Sequence, residues 1–314
     1  MTNTILILGA TGGIGGTMGR TMLARGWTVL ALARDAERAA LNWRGTSQPQ
    51  WIAGDALNVE DVVTAARGAS AIFHGVNPQG YRHWDKLVLP MLDASLQAAR
   101  QHGARLLLPG TVYNFDAAAT PLITETTPQH PRGSKGAIRA EMERRITAAA
   151  SEVTSLILRA GDFFGPDAKQ SWFTQAMAKQ PLQRIINPGK PGVGHSWAYL
   201  PDLAETFAQL LELPEGVLAR AERLQFAGFW DHDGRQMARL LREAVGDPAL
   251  PERSFPWWFM RLAAPFGGFP REVVEVAPFW RHPMRLDNGR LIALLGKEPA
   301  TPVVEAVMHS LCGE

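Results

Sequence analysis

Short, largely apolar runs alternate with helix-spaced apolar positions along the first half of the chain. The runs Ile5–Leu8, Trp27–Ala33, Gln50–Ala53, Ala71–His74, Arg105–Leu108 and Ser155–Arg159 have strand length. Their near-continuous apolar character suits strands covered on both faces. Between them Val59–Arg67, Lys86–His102 and Ile138–Ala150 read as helices, with Gly103 closing the second. After the first run Met18, Met22 and Leu23 keep helical spacing until Gly26. This order predicts an α/β fold with a doubly wound parallel sheet and helices on both faces.

The pattern degrades beyond Gly165. Pro166–Gly194 is rich in Pro, Gly, Lys and Gln and reads as an excursion from the sheet. Asp202–Leu213 reads as a helix, Arg223–Ala227 as a last strand, and a final helix begins near Pro302 with Thr301 as N-cap. Residues 1–165, rejoined by 194–230, are therefore expected to form the nucleotide domain. Residues 166–193 and 231–314 are expected to form a smaller C-terminal substrate lobe. Pro251–Arg281 carries Phe255, Trp257, Trp258, Phe259, Phe266, Phe269, Phe279 and Trp280. Pro256, Pro265 and Pro270 break any long amphipathic helix there, so the stretch is expected to be small-lobe core, part of it lining an apolar pocket.

The first strand runs directly into Gly9, Thr11, Gly12, Gly13, Ile14 and Gly15. Glycines at this spacing let the chain turn sharply and let a pyrophosphate touch bare backbone, while the next helix offers unpaired N–H groups. The expected ligand is a dinucleotide. At the tip of the second strand Arg34, with Arg38 one turn on, suits the 2′-phosphate of NADP; if Asp35 faces the ribose instead, NAD is the ligand. Asp55, with Ala56 and Leu57, is either an adenine contact or a turn or cap aspartate. Gly75, Val76 and Asn77 follow the fourth strand, where backbone passes close to a cofactor.

Composition narrows the picture a little. With 46% hydrophobic and 20% charged residues the chain has the balance of a soluble enzyme, and a net charge of +2 gives no case for nucleic acid. Cys312 is the sole cysteine, so no internal disulfide forms. No signal core or membrane-length apolar run is present, and the expectation is a cytoplasmic protein without membrane partners. Asp231-His232-Asp233 lacks a second ligand pair and reads as a turn, so no metal is expected. Gly194-His195-Ser196-Trp197-Ala198 has the letters of a nucleophile elbow but follows a loop, which disfavours hydrolase chemistry; His195 is assigned to lining a cleft or holding a loop. Lys86–His102 and Ile138–Ala150 are candidate helices for pairing in a homodimer.

These segments, with Leu156–Pro166, His195–Ala204 and Leu286–Gly296, resemble the extended and atypical short-chain dehydrogenase/reductase superfamily, the grouping of NAD-dependent epimerases, dehydratases and related NAD(P)H-binding proteins. The resemblance covers nearly the whole chain. It implies a Rossmann domain, a C-terminal lobe, and a site that combines a Ser/Thr with a Tyr-x-x-x-Lys pair. Lys135 matches the lysine, which in the family holds the nicotinamide ribose, but Pro131 stands where the tyrosine falls. The serine position falls at Pro109, leaving Thr111 as the nearest hydroxyl, and Tyr113 matches a tyrosine of many extended members. Candidate phenols in place of the missing acid are Tyr81, Tyr113 and Tyr199, in that order, with Lys135 itself a further proton donor. Ala160, Gly161 and Asp162 lie where the family approaches the carboxamide end of nicotinamide. The function this implies is an NADP(H)-dependent oxidoreductase reducing a carbonyl or activated double bond of a small, apolar substrate. A non-catalytic NADP(H)-binding sensor is the alternative, and an epimerase the lesser one.

Overall fold

The structure, a computed structural model, describes residues 3–78 and 83–312. The chain forms two compact units. The first comprises Met1–Gly110, Ile138–Leu158 and Leu203–Leu224; the second comprises Thr111–Ala137, Arg159–Asp202 and Gln225–Glu314.

In the first unit the strands β1 (Thr4–Leu8), β2 (Thr28–Ala33), β3 (Gln50–Ala53), β4 (Ala71–His74), β5 (Arg105–Thr111), β7 (Ser155–Ala160) and β11 (Ala221–Gln225) build one sheet. Their order is β11-β7-β5-β4-β1-β2-β3. The pairs β1–β2, β1–β4, β2–β3 and β4–β5 are parallel. The chain reverses its direction of travel across the sheet between β1 and β4, and such a switch point opens a crevice at the carboxyl ends of the strands. The fold is thus the doubly wound, Rossmann-like α/β sheet that the alternating pattern predicts.

Both faces are covered. Helix α4 (Trp84–His102) buries Val88, Met91, Leu92, Ser95, Leu96 and Ala99, the three-and-four spacing of a helix laid on a sheet. Leu6, Leu8, Ile72, Leu106 and Ile157 pack in the same core. On the other face Phe73 meets Phe207 edge-on, with ring centroids 5.3 Å apart. Helices α1 (Gly13–Ala24), α2 (Ala36–Leu41) and α3 (Val59–Ala65) fill the first three crossovers.

Two of the boundaries that differ from the sequence expectation bear on the candidate site. Strand β5 runs through Pro109 to Thr111 instead of ending at Leu108. Its ladder with β4 stops at Leu107, so the proline costs that pairing no donor. Helix α5 (Ser134–Ala148) starts four residues before Ile138, which places Lys135 in its first turn.

The second unit holds smaller sheets. β12 (Phe229–Asp231), β10 (His195–Tyr199) and β8 (Asp162–Phe164) form one in that order. β9 (Ile185–Asn187) pairs with β13 (Glu252–Ser254), and β6 (Leu122–Ile123) with β14 (Arg285–Leu286). Helix α7 (Gln236–Val245) is capped by Asp231, whose buried carboxylate accepts the backbone N–H groups of Asp233, Arg235, Gln236 and Met237 at 3.1–3.2 Å. The Asp-His-Asp stretch is therefore a turn, as its sequence suggests, and Asp231 in addition caps the helix that follows.

The aromatic-rich stretch corrects the expectation of a uniform core. Trp257 and Trp280 are buried with Phe164, Phe173 and Trp197. Trp258, Phe266 and Phe269, by contrast, are 71%, 91% and 62% exposed. They belong to α8 (Trp257–Ala263), the 3-10 turn Ala264–Phe266 and α9 (Gly268–Val274). These elements are one or two turns long and bury little: α8 buries Trp257, with Met260 partly buried against the core, α9 buries Val273, and the 3-10 turn between them buries nothing. No helix among the described residues is long and apolar enough to cross a membrane.

Candidate functional site

The first unit carries the glycine cradle. Gly9 has φ +91°, and a Cβ there would lie 2.6 Å from the carbonyl oxygen of Gly75 and 2.8 Å from the nitrogen of Val76. A Cβ on Gly15 would lie 2.2 Å from the oxygen of Gly9. The turn after β1, the start of α1 and the end of β4 are thereby pressed together, which brings Gly9, Gly15, Gly75 and Val76 into one backbone cluster. Gly12 is the N-cap of α1; it supplies no side-chain cap, and the first turn has no acidic residue. The N–H groups at that helix start are left to an outside anion, and these residues fit the pyrophosphate of a dinucleotide. Thr11 and Gly12 are exposed, with Gly13 and Ile14 partly so.

At the tip of β2 Arg34 is exposed. Asp35 is engaged elsewhere: it is the N-cap of α2 and accepts the backbone N–H of Arg38 at 2.9 Å. Arg38 lies in the first turn of α2. Asp55 forms a turn, one oxygen accepting the N–H of Leu57 at 3.0 Å, and its own N–H donates to Asp61 at 2.8 Å. Ala56 is partly buried, Leu57 exposed, and Asn77 exposed beyond β4. His74 is a core residue: its Nδ1 lies 2.8 Å from the Ser95 hydroxyl, and burial, with Arg139 nearby, pushes its pKa down to about 3.

The second unit carries the candidate acid–base groups. Thr111 ends β5, and its hydroxyl accepts the N–H of Tyr113 at 3.3 Å. Tyr113 packs on Phe279 with centroids 4.9 Å apart. Gly136 lets α5 approach the Tyr113 backbone, since a Cβ there would sit 2.2 Å from its carbonyl oxygen. Lys135 is buried, and its ammonium donates to Glu272 at 2.5 Å and Glu275 at 3.1 Å. Glu275 also accepts the backbone N–H of Lys135 at 2.6 Å and the Ser134 hydroxyl at 2.9 Å. One carboxylate thus caps α5 and pins the lysine at its start. A cavity of about 40 Å³ lies beside this group, lined by Tyr113, Arg132, Lys135, Gly136 and Glu275.

Tyr81 lies outside the described residues. Tyr199 is buried against Phe164, and burial together with Asp202 and Glu305 pushes its pKa up to about 12. Ala160 ends β7 in the core, and Gly161 allows close contact with β10, where a Cβ would meet the Ser196 oxygen at 2.2 Å. Ser196 itself sits inside β10 and donates to the Met284 carbonyl at 2.9 Å.

One arrangement is absent from the sequence reading. His195 Nε2 lies 2.8 Å from Asp162 Oδ2, and the imidazole stacks on Trp280 with centroids 3.8 Å apart and planes 10° apart. The only local signal was the position of Asp162 just after a sheet strand; its partner is 33 residues away.

Comparison with known proteins fits this geometry. A family model described as NAD(P)H-binding matches residues 9–175. A 3-diazoavenalumate denitrifying reductase from Streptomyces is 30% identical over 179 residues, which span 52% of this chain and 57% of that protein. Among solved structures, L-threonine dehydrogenase from Clostridium difficile aligns with a TM-score of 0.77 at 15% identity over 99% of this chain and 98% of that one. A UDP-glucuronic acid 4-epimerase from Bacillus cereus, in complex with NAD, aligns with a TM-score of 0.76 at 15% identity over 99% and 96%. At such identities the two structures attest to the fold alone.

Proposed function

This chain belongs to the NAD(P)H-binding family, and from that premise we propose that it is an NADP(H)-dependent reductase of a carbonyl or activated double bond in a small organic substrate. The observation that carries the reading is the cradle of Gly9, Gly15 and Gly75 with an uncapped helix start beside it. When bound, reduced nicotinamide supplies a hydride. The chain's part is to hold the pyrophosphate on the start of α1 and the adenosine phosphate at Arg34; Lys135 matches the family lysine that holds the ribose. The Streptomyces relative, itself a reductase by name, supports reduction as the direction.

Fluorescence titration with NADPH, followed by NADPH consumption against carbonyls, enones and a diazo compound, tests the proposal. Saturable binding with turnover of at least one class is the expected result; absence of binding removes it. The alternative, a non-catalytic NADP(H)-binding protein, is favoured by Pro131 in the tyrosine position and by the two carboxylates on Lys135. Tight binding with no turnover across the panel would decide for it.

The choice of NADP rests on Arg34, because Asp35 spends an oxygen on α2. A charge-assisted bond contributes about 1.5–3 kcal/mol, so Arg34→Ala is expected to lower the NADPH over NADH affinity ratio by roughly 10- to 100-fold. A ratio that stays put would transfer the role to another residue.

A further inference from the structure

Helices α8 and α9 and the 3-10 turn between them pack on one another as a corner of the second unit. The anchoring comes from inside. Trp257 and Val273 are buried, Met260 packs against the core, and Trp257 Nε1 donates to the Pro188 carbonyl at 2.9 Å. A helix laid on a core ordinarily turns charged and polar residues to water. Here α8 turns out Trp258, Phe259 and Leu262, with Arg261 among them. Phe266 and Phe269 continue the set, and Phe266, 91% exposed, stands almost clear of the protein. All four exposed Phe, Trp or Tyr side chains among the described residues fall within residues 258–269. Single exposed apolar residues are ordinary, but a cluster of this kind marks a surface that something apolar covers.

We infer that this corner is a docking surface for a lipid bilayer with anionic headgroups, seated at the interface without spanning it. Charge selects the occupant. Residues 255–271 hold Arg261 and Arg271 and no Asp or Glu. Both arginines are exposed, and neither pairs with a carboxylate among the described residues. The next acids along the chain are already engaged: Glu252 with Arg235 and Arg242, Glu272 with Lys135. Rings beside unpaired arginines suit the headgroup level of a bilayer. The rings enter the boundary of the acyl chains, and the guanidinium groups meet lipid phosphates. A second copy fits less well, because a two-fold contact would bring two sets of unpaired arginines into one interface. The expectation of no membrane partner rests on the prolines that break a long amphipathic helix. A corner of short elements presents its rings without one. Pro256 is the N-cap of α8, Pro265 sits at the start of the 3-10 turn, and Gly267 and Gly268, at φ +83° and +65°, turn the chain between Phe266 and Phe269.

Flotation of the full chain with lipid vesicles tests the docking. The wild type is expected to float with phosphatidylcholine vesicles containing about one third phosphatidylglycerol, several-fold more than with phosphatidylcholine alone, and to be released by high salt. Phe266→Ser combined with Phe269→Ser changes only exposed side chains, so the Tm should hold while the bound fraction falls at least tenfold. Arg261→Gln combined with Arg271→Gln is expected to remove the preference for the anionic vesicles. Leu41→Ser, at an equally exposed apolar side chain of the first unit, is expected to leave the partition unchanged. A wild type that floats with neither vesicle, or a folded double-serine variant that floats as well as the wild type, overturns the inference. A preference for anionic vesicles that survives loss of both arginines overturns the choice of occupant. A wild-type dimer in sedimentation velocity without lipid, dissolved by Phe266→Ser, would make the corner an interface between copies instead. The NADPH titration is read separately, since the glycine cradle lies in the first unit, and either proposal can fail without the other.

Discussion

Gly15→Ala is expected to abolish NADPH binding, raising the Kd measured by fluorescence titration at least 100-fold. The added Cβ would lie 2.2 Å from the oxygen and 2.6 Å from the carbonyl carbon of Gly9. Both are backbone atoms, so no side chain can rotate away, and the turn itself must open. It has little room to do so, since Gly9 already sits at φ +91° with Gly75 against it. Displacing the turn moves the first N–H groups of α1, which the pyrophosphate is proposed to meet. The same overpacking is expected to cost about 1–3 kcal/mol of stability, read as a lower Tm. Gly26→Ala is the control. Gly26 has φ +79° but nothing within 4 Å of a built Cβ, so it carries only the left-handed backbone cost of about 1–2 kcal/mol and keeps its affinity. Equal loss in both variants would mean that the effect is general destabilisation, and the cradle would lose its role.

The glycine cradle and the strand–helix order were legible because both are written in short stretches of chain. A buried strand, a tight turn and a helix start each leave their mark within a dozen residues. The errors fall where a distant residue decides. Helix α5 starts at Ser134, not Ile138, because the Glu275 carboxylate, about 140 residues on, caps it. Nothing near Ser134 announces that cap. His195 reads as lining a cleft or holding a loop, and nothing nearby in the sequence announces the Asp162 and Trp280 side chains that meet it. The aromatic stretch misled for a different reason. Hydrophobicity marks Phe266 and Phe269 as core, yet the short elements that carry them have no second layer to enter. Composition tells what a residue prefers, and only the packing tells whether a place exists for it.

Lys135→Met and Glu272→Gln are expected to move NADPH affinity in opposite directions. In the structure the lysine has two carboxylates as partners, and neither belongs to a ligand. Any ribose or phosphate group that bonds its ammonium competes with Glu272 and Glu275 for the same protons. Removing the lysine deletes the donor, so Lys135→Met should raise the Kd for NADPH at least tenfold. It also leaves two carboxylates without their cation. Breaking a fully buried pair costs 3–5 kcal/mol, but Glu272 and Glu275 are 34% and 23% exposed, and water screens them down to about 1–3 kcal/mol. Glu272→Gln removes one competitor and keeps the shape. Glu275, the cap of α5, is left intact by design, so the helix start holds. The variant is expected to bind NADPH several-fold more tightly than the wild type, with a Tm that falls less than in Lys135→Met because Glu275 still pairs with the lysine. Weaker binding in a stable Glu272→Gln would show that the carboxylate positions the lysine for the cofactor instead of withholding it. Unchanged binding in a folded Lys135→Met would show that the lysine serves only to anchor α9.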